Sequence, residues 1–320
     1  MANGLPTSPK MGESHKLQRF NKLKFSKLQK KWANSELSVN NSQLVATGSA
    51  DDSVGIFASS AFRVGEGSTL LSENNEAGLI ILGTSRLLTT NDTTLTLRNS
   101  TSTGLGVNDT SNAFLSGALL IENSGGDGMV VIDASSVNFG SVGSTQILNS
   151  GGPNGGLLIA RALAVFVGDT SSMTVSGNTN GHGLAVVDNS TLRVVSAVVS
   201  DNNANNGLSV AQNSVVRVQG TLAQMQLRNN TGRGVLLTRS SVGIFENGTT
   251  VSNNGGIGVD VDDGSSVTMS GATISGNGAG AGPDISASFG SRLTLNGNTI
   301  GILPITCDGS VLSRGDVLCP

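Results

Sequence analysis

The segment Gly258-Val259-Asp260-Val261-Asp262-Asp263-Gly264-Ser265-Ser266-Val267-Thr268-Met269-Ser270-Gly271-Ala272-Thr273-Ile274-Ser275-Gly276-Asn277-Gly278 decides the architecture. Val259 and Val261 alternate with Asp260 and Asp262, the period-two pattern of a strand. Asp263-Gly264-Ser265 breaks that pattern with turn chemistry. Val267 and Met269 alternate with Thr268 and Ser270 in a second strand. Gly271 bends the chain, Thr273-Ile274-Ser275 forms a third short strand, and Gly276-Asn277-Gly278 closes the unit.

The same unit recurs along the chain. A glycine followed by alternating aliphatics appears at Gly55, Gly78, Gly104, Gly128, Gly156, Gly183, Gly207, Gly234, Gly258 and Gly282, in steps of 23 to 28 residues. A period in this range marks a solenoid. Three strands and three turns in about 25 residues make one coil of a parallel β-helix, each strand pairing with its equivalent about 4.8 Å along. The sequence therefore predicts an all-β solenoid of about ten three-strand coils, right-handed because parallel crossover connections prefer that hand. The first inward column reads Ile56, Leu79, Leu105, Met129, Leu157, Leu184, Leu208, Val235 and Val259. A second reads Ala58, Ile81, Val107, Val131, Ile159, Val186, Val210, Leu237, Val261 and Ile285. Stacking these aliphatics buries a core that no single coil holds, at roughly 1.5–3 kcal/mol per side chain.

An asparagine lies five residues before most of the glycines: Asn99, Asn123, Asn178, Asn202, Asn229, Asn253 and Asn277, with Asn74 and Asn149 slightly out of step. Asparagine accepts left-handed backbone angles, and stacked asparagines hydrogen-bond along a ladder. The column is expected to be structural.

The stacked G-[VLI]-x-V, S-x-V-x-V and T-x-[IVL]-x-x-N segments resemble the right-handed parallel β-helix repeats of the pectin-lyase-like superfamily, over residues 37–305. That superfamily holds lyases, hydrolases and tailspikes, and also adhesins and non-catalytic surface proteins, so the resemblance implies a fold far more than an activity. The end segment, Thr306-Cys307-Asp308-Gly309-Ser310 through Leu318-Cys319-Pro320, looks like the tail of secreted bacterial β-helix repeat proteins. The resemblance implies a Cys307–Cys319 disulfide closing residues 306–320 over the last coil, in an oxidising compartment. Two reduced thiols are the alternative; two cysteines alone do not complete a zinc site.

Residues 1–36 form a separate basic leader, with eight of the 19 Lys and Arg in residues 10–31. Leu17, Phe20, Phe25, Leu28 and Trp32 fall on one side of a helical wheel, as a helix capping the open end of the solenoid would place them. A disordered extension or a helix for an anionic or membrane surface are the alternatives. No apolar run is long enough to span a membrane, and no signal-peptide core is visible near Met1.

Composition narrows the function. Only 13% of residues are charged and the net charge is −3, so the chain has no general basic footprint for nucleic acid. A Ser-, Thr-, Asn- and Gly-rich exterior suits a secreted, extracellular or cell-surface protein. The densest acid cluster is Asp260, Asp262, Asp263 and Asp284. Counted from Gly258 and Gly282, Asp260 and Asp284 occupy one position in adjacent coils, with carboxylates expected about 5 Å apart on the outer face. Calcium takes six to eight oxygens, so this set is the candidate calcium site. Pectate lyases resemble it in carrying acids on the outside of one parallel sheet with an arginine as base; Asp260, Asp262 and Asp284 with Arg239 or Arg233 would be the counterparts. The other reading is a solvated acidic patch partly neutralised by Arg239. Gly255-Gly256-Ile257-Gly258-Val259-Asp260 fits one calcium-binding nonapeptide, a motif that needs tandem copies.

Two charged columns read as register-fixing ladders, or alternatively as a sugar-contacting stripe. One holds Asp109, Asp133, Arg161, Asp188, Gln212, Arg239 and Asp263; the other holds Glu73, Arg98 and Glu122. His182 is expected to be a solvated turn residue, and no G-x-S-x-G elbow is present. The chain has no Tyr, its one Trp lies in the leader, and coil lengths differ by five residues at most. Without long loops or aromatic walls a groove excludes little water. The expected function is a non-catalytic secreted or surface-exposed rod binding a polysaccharide or cell-surface component. The alternative is a calcium-dependent polysaccharide lyase or hydrolase acting on the outer face of one sheet.

Overall fold

In a computed structural model, residues 15–16, 23–25, 36–50, 54–162, 164–168, 171–246, 248–278, 282–301, 305–315 and 319 are described. They form a parallel β-solenoid with no α-helix among the described residues. Every coil repeats three strands. In one coil these are strand a (Leu208–Val210), strand b (Val215–Val218) and strand c (Gln224–Arg228). Each pairs in parallel with its counterpart in the next coil, as Leu208 with Val235, Val216 with Gly243 and Leu227 with Val251. Eleven strands a stack into one sheet, from Val54–Ile56 to Ile305–Cys307.

The alternation of apolar and polar residues becomes inside and outside. Leu79, Leu105, Met129, Leu157, Leu184, Leu208, Val235, Val259 and Ile285 stack in register, all at 0–1% exposure. Two ends of the expected columns are corrected. Val54 pairs with Leu79, Gly55 with Ile80 and Ile56 with Ile81, so Gly55 stands two residues out of the glycine column. Ile285 pairs with Val259, so Asp284, not Gly282, is the equivalent of Gly258. A short insertion before Asp284 makes that coil two residues longer than counting glycines suggests.

The column is glycine because of what lies beneath it. A Cβ at Gly183 would stand 2.7 Å from Asn203 Nδ2, and one at Gly258 would stand 2.6 Å from Asn277 Nδ2. Backbone and buried amide approach too closely for any side chain.

Both ends of the chain depart from expectation. The capping helix falls mostly on residues outside the described ones; the described pieces, His15–Lys16 and Leu23–Phe25, are strands parallel to Glu36–Val39 and Gln43–Thr47. At the other end, Ile305–Cys307 and Leu312–Gly315 pair with Ile285–Ala287 and Arg292–Asn296. Residues beyond 305 thus add another coil to the stack. No helix among the described residues is long and apolar enough to cross a membrane.

Candidate functional site

The acid patch lies on the outer face of strand a and its following turn. Asp260 faces outward in register with Leu236 and Ser286. Its carboxylate accepts a 2.6 Å bond from Arg233 Nε and is only 8% exposed. Burial pushes its pKa up, partly opposed by Arg233. Asp262 accepts from Ser288 Oγ at 2.7 Å and from the Asp263 N–H at 2.9 Å. Asp263 accepts from Thr238 Oγ1 at 3.1 Å.

Asp284 does not join them. It is fully buried, and its Oδ1 accepts from the N–H and Nδ2 of Asn277 at 3.3 and 2.9 Å. The expected outer Asp260–Asp284 pair is therefore replaced by Asp260 beside Ser286. Arg239 is exposed on a turn with φ 55°, and Arg233 is the arginine that binds Asp260. Among the described residues, no three His, Cys, Asp or Glu side chains come together to hold a metal ion. Neither the calcium set (Asp260, Asp262, Asp263, Asp284) nor the lyase set (Asp260, Asp262, Asp284, Arg239) is assembled.

The asparagine column divides in two. Asn99, Asn123, Asn202, Asn229 and Asn253, with Asn74 and Asn149, have φ of 54–56° at the end of strand c. Asn99 Nδ2 donates to Asn74 Oδ1 at 3.2 Å and Asn123 Nδ2 to Asn99 Oδ1 at 3.1 Å, both exposed. Asn178 and Asn277 belong to a second, buried ladder one residue further along. There Asn178, Asn203, Asn230, Asn254 and Asn277 each donate Nδ2 to the next Oδ1 at 2.6, 2.8, 3.0 and 2.8 Å. The carboxylate of Asp284 receives the last amide. Where the buried ladder ends, the glycine beneath it is replaced by an acid that terminates it.

His182 is half-buried at the start of strand a (His182–Val187), not solvated. Its Nδ1 accepts from the Asn206 N–H at 3.3 Å, and burial lowers its pKa. Asn206 Oδ1 in turn accepts from the Arg233 N–H at 2.9 Å, and Asp127 Oδ1 from the Gly155 N–H at 2.9 Å. The residue before Gly128, Gly183 and Gly207 thus caps the backbone of the next coil.

Each charge ladder forms in part. Arg161 reaches Asp133 at 2.8 Å and Asp188 at 3.1 Å, and Arg98 reaches Glu73 at 3.0 Å. Asp201 and Arg228, in register on strands c, extend the same logic at 3.6 Å. Cys307 and Cys319 form a disulfide with Cα atoms 5.6 Å apart, tying residue 319 to strand a of the last coil.

Residues 219–301 match the family model described as a right handed beta helix region. The chain folds as a parallel β-helix. No curated protein matches its sequence. Among solved structures, this β-helix is similar to the A-module of the Azotobacter vinelandii mannuronan C-5 epimerase AlgE6. The identity is 15%, with 88% of this chain and 81% of that one covered and a TM-score of 0.37. The AlgE4 A-module of the same organism is similar at 13% identity, 89% of each chain and a TM-score of 0.36. The surface adhesin PfbA of Streptococcus pneumoniae is similar at 8% identity, 88% of this chain, 82% of that one and a TM-score of 0.29.

Proposed function

We propose that this β-helix is a non-catalytic rod of the secreted or cell-surface class, which presents a polar face to a polysaccharide or other surface component. The observation that carries the reading is the state of the acid patch. Asp260 is bound by Arg233, Asp262 by Ser288 and Asp263 by Thr238, while Asp284 is turned inward. A lyase or hydrolase needs reactive groups converging on one point with free lone pairs. Here the side chains are engaged in coil-to-coil contacts. The Cys307–Cys319 bond favours an oxidising, extracytoplasmic setting.

The test incubates the protein with acidic polysaccharides, with and without calcium. Unsaturated products are followed by ultraviolet absorbance, reducing ends by colorimetry and binding by co-sedimentation with insoluble polymer. The expected result is retention on polymer with no product in either assay. Turnover abolished by Asp260→Ala would overturn the reading.

A further inference from the structure

An asparagine followed by glycine is a reactive junction. The next backbone nitrogen, unhindered by a side chain, attacks the amide carbon and closes a five-membered imide. The rate depends on which group takes the proton from that nitrogen. At three such junctions in this chain the proton has nowhere to go. The Gly207 N–H donates to Arg233 O at 2.9 Å, the Gly255 N–H to Asn230 O at 2.8 Å, and the Gly278 N–H to Asn254 O at 2.9 Å and Gly256 O at 2.7 Å. A carbonyl holds the hydrogen without accepting the proton. The asparagines themselves, Asn206, Asn254 and Asn277, are 0–2% exposed and are held through their side chains.

Asn154–Gly155 is arranged differently. Met129 pairs with Leu157, so Asp127 holds the place of Gly155 one coil earlier. Asp127 Oδ1 accepts from the N–H of Asn154 at 3.0 Å and from the N–H of Gly155 at 2.9 Å, and its Oδ2 accepts from Asn154 Nδ2 at 3.0 Å. One carboxylate therefore touches both the nitrogen that would attack and the nitrogen that would leave. A general base must lie within hydrogen-bond reach of the proton it takes, and Asp127 does. It is 9% exposed, so little water competes for it. The glycine is obligatory here. Gly155 has φ 101°, and a Cβ on it would run into the carbonyl of His182. The fold thus places an unhindered nitrogen directly against an acid. Asn154 is half-buried, leaving a path for ammonia to depart and water to enter.

We infer that Asn154–Gly155 is a self-modification site, in which Asp127 moves the proton that lets the chain close an imide. Asp127 takes the proton from the Gly155 nitrogen as that nitrogen bonds to Asn154 Cγ. The protonated carboxyl then gives a proton to Nδ2, the Cγ–Nδ2 bond breaks and ammonia departs. The main chain is left with a five-membered imide, and Asp127 regains its charge. One solvent water then opens either imide C–N bond, giving aspartate or isoaspartate. No electrons are exchanged, and water is the one co-reactant.

The product alters the turn between coils. Aspartate at position 154 exchanges the donor facing Asp127 Oδ2 for a second carboxylate, and like charges that close repel. Isoaspartate also adds one carbon to the main chain just ahead of the strand Gly155–Ala160. Either product opens the clamp that joins this coil to the one before. This chemistry is independent of the rod's binding role.

The test ages the full chain in neutral buffer, once folded and once in urea. Peptide mass spectrometry then follows imide and acid at each asparagine–glycine junction over time. In the folded chain Asn154 is expected to convert faster than Asn206, Asn254 and Asn277, and faster than it does in urea. The other three are expected to convert faster in urea, where their protection is lost. Asp127→Ser keeps an accepting oxygen and removes the base. It is expected to slow Asn154 about a hundredfold, the lower end of what a positioned general base contributes. Conversion at Asn296–Gly297, where the asparagine is exposed and several coils away, is expected to stay unchanged. Circular dichroism checks that the variant is folded; the comparison of folded and urea-treated wild type stands without it. A carboxylate that only clamps the turn gives the opposite sign, because Asp127→Ser would then free Asn154 and speed its conversion. That outcome, or a folded-state rate at Asn154 no higher than its rate in urea, would overturn the inference.

Discussion

Asn230→Ala is the sharpest perturbation of the buried ladder. Asn230 is 1% exposed. Its Oδ1 accepts from the N–H and Nδ2 of Asn203 at 3.1 and 2.8 Å, and its Nδ2 donates to Asn254 Oδ1 at 3.0 Å and Ser200 O at 3.3 Å. Alanine removes all four bonds and leaves the Asn203 N–H buried without an acceptor, while Asn203 Nδ2 keeps Ser200 Oγ and Val175 O at 3.1 and 3.4 Å. At about 1 kcal/mol net per bond, with an extra cost for the orphaned N–H, the loss comes to about 4 kcal/mol. Its neighbour Asn229 offers a built-in comparison. Asn229 is exposed, with φ 54° and one side-chain bond, to Asp201 Oδ1 at 2.9 Å. Asn229→Ala should cost only about 1–2 kcal/mol, the penalty of a left-handed alanine. Urea unfolding followed by circular dichroism measures both. Equal losses, or a loss below about 1 kcal/mol for Asn230→Ala, would refute the claim that two adjacent asparagines do different work.

Three further outcomes follow from single positions. Phe289 is 68% exposed with φ 50°, an unfavourable conformation for a bulky residue, so Phe289→Gly should raise stability by about 1 kcal/mol in the same urea assay. His182 accepts a backbone hydrogen bond as a neutral ring and has a lowered pKa, so its contribution is complete above the unfolded value of 6.5 and is lost as pH falls below it. His182→Asn, which keeps an acceptor as Asn206 does one coil later, should flatten the stability profile between neutral and mildly acidic pH. Reducing the Cys307–Cys319 bond should speed hydrogen exchange in Ile305–Cys307 and Leu312–Gly315 and leave the central coils unchanged, because solenoid coils contact only their neighbours.

The inward columns were legible from Leu79 to Val261 because alternation and period are properties of the core itself. Counting from glycines failed at the two ends for a physical reason. A short insertion puts Asp284 in the glycine column and leaves Gly282 before it, and at the first coil Val54 rather than Ile56 aligns with Leu79, so Gly55 falls two residues past the column. The asparagine column was half-read for a related reason. The operative unit is a dipeptide: a left-handed Asn or Gly, then a buried Asn or Ser. It appears as Asn229-Asn230, as Gly177-Asn178 and as Asn149-Ser150. Spacing from the glycines mixes its two members. The acid cluster misled because proximity in sequence says nothing about face once an insertion shifts the register by two.

The most direct measurement of the account is a distance along the stack. Asn112 and Ser266 occupy the same outward position on strands b six coils apart. Nitroxide labels at Asn112→Cys and Ser266→Cys, introduced without disturbing the native disulfide and read by double electron–electron resonance, should give one narrow distribution centred near 29 Å, at about 4.8 Å per coil. A broad distribution, or a maximum displaced by more than about two coil spacings, would contradict a chain whose coils rise in register along a single axis.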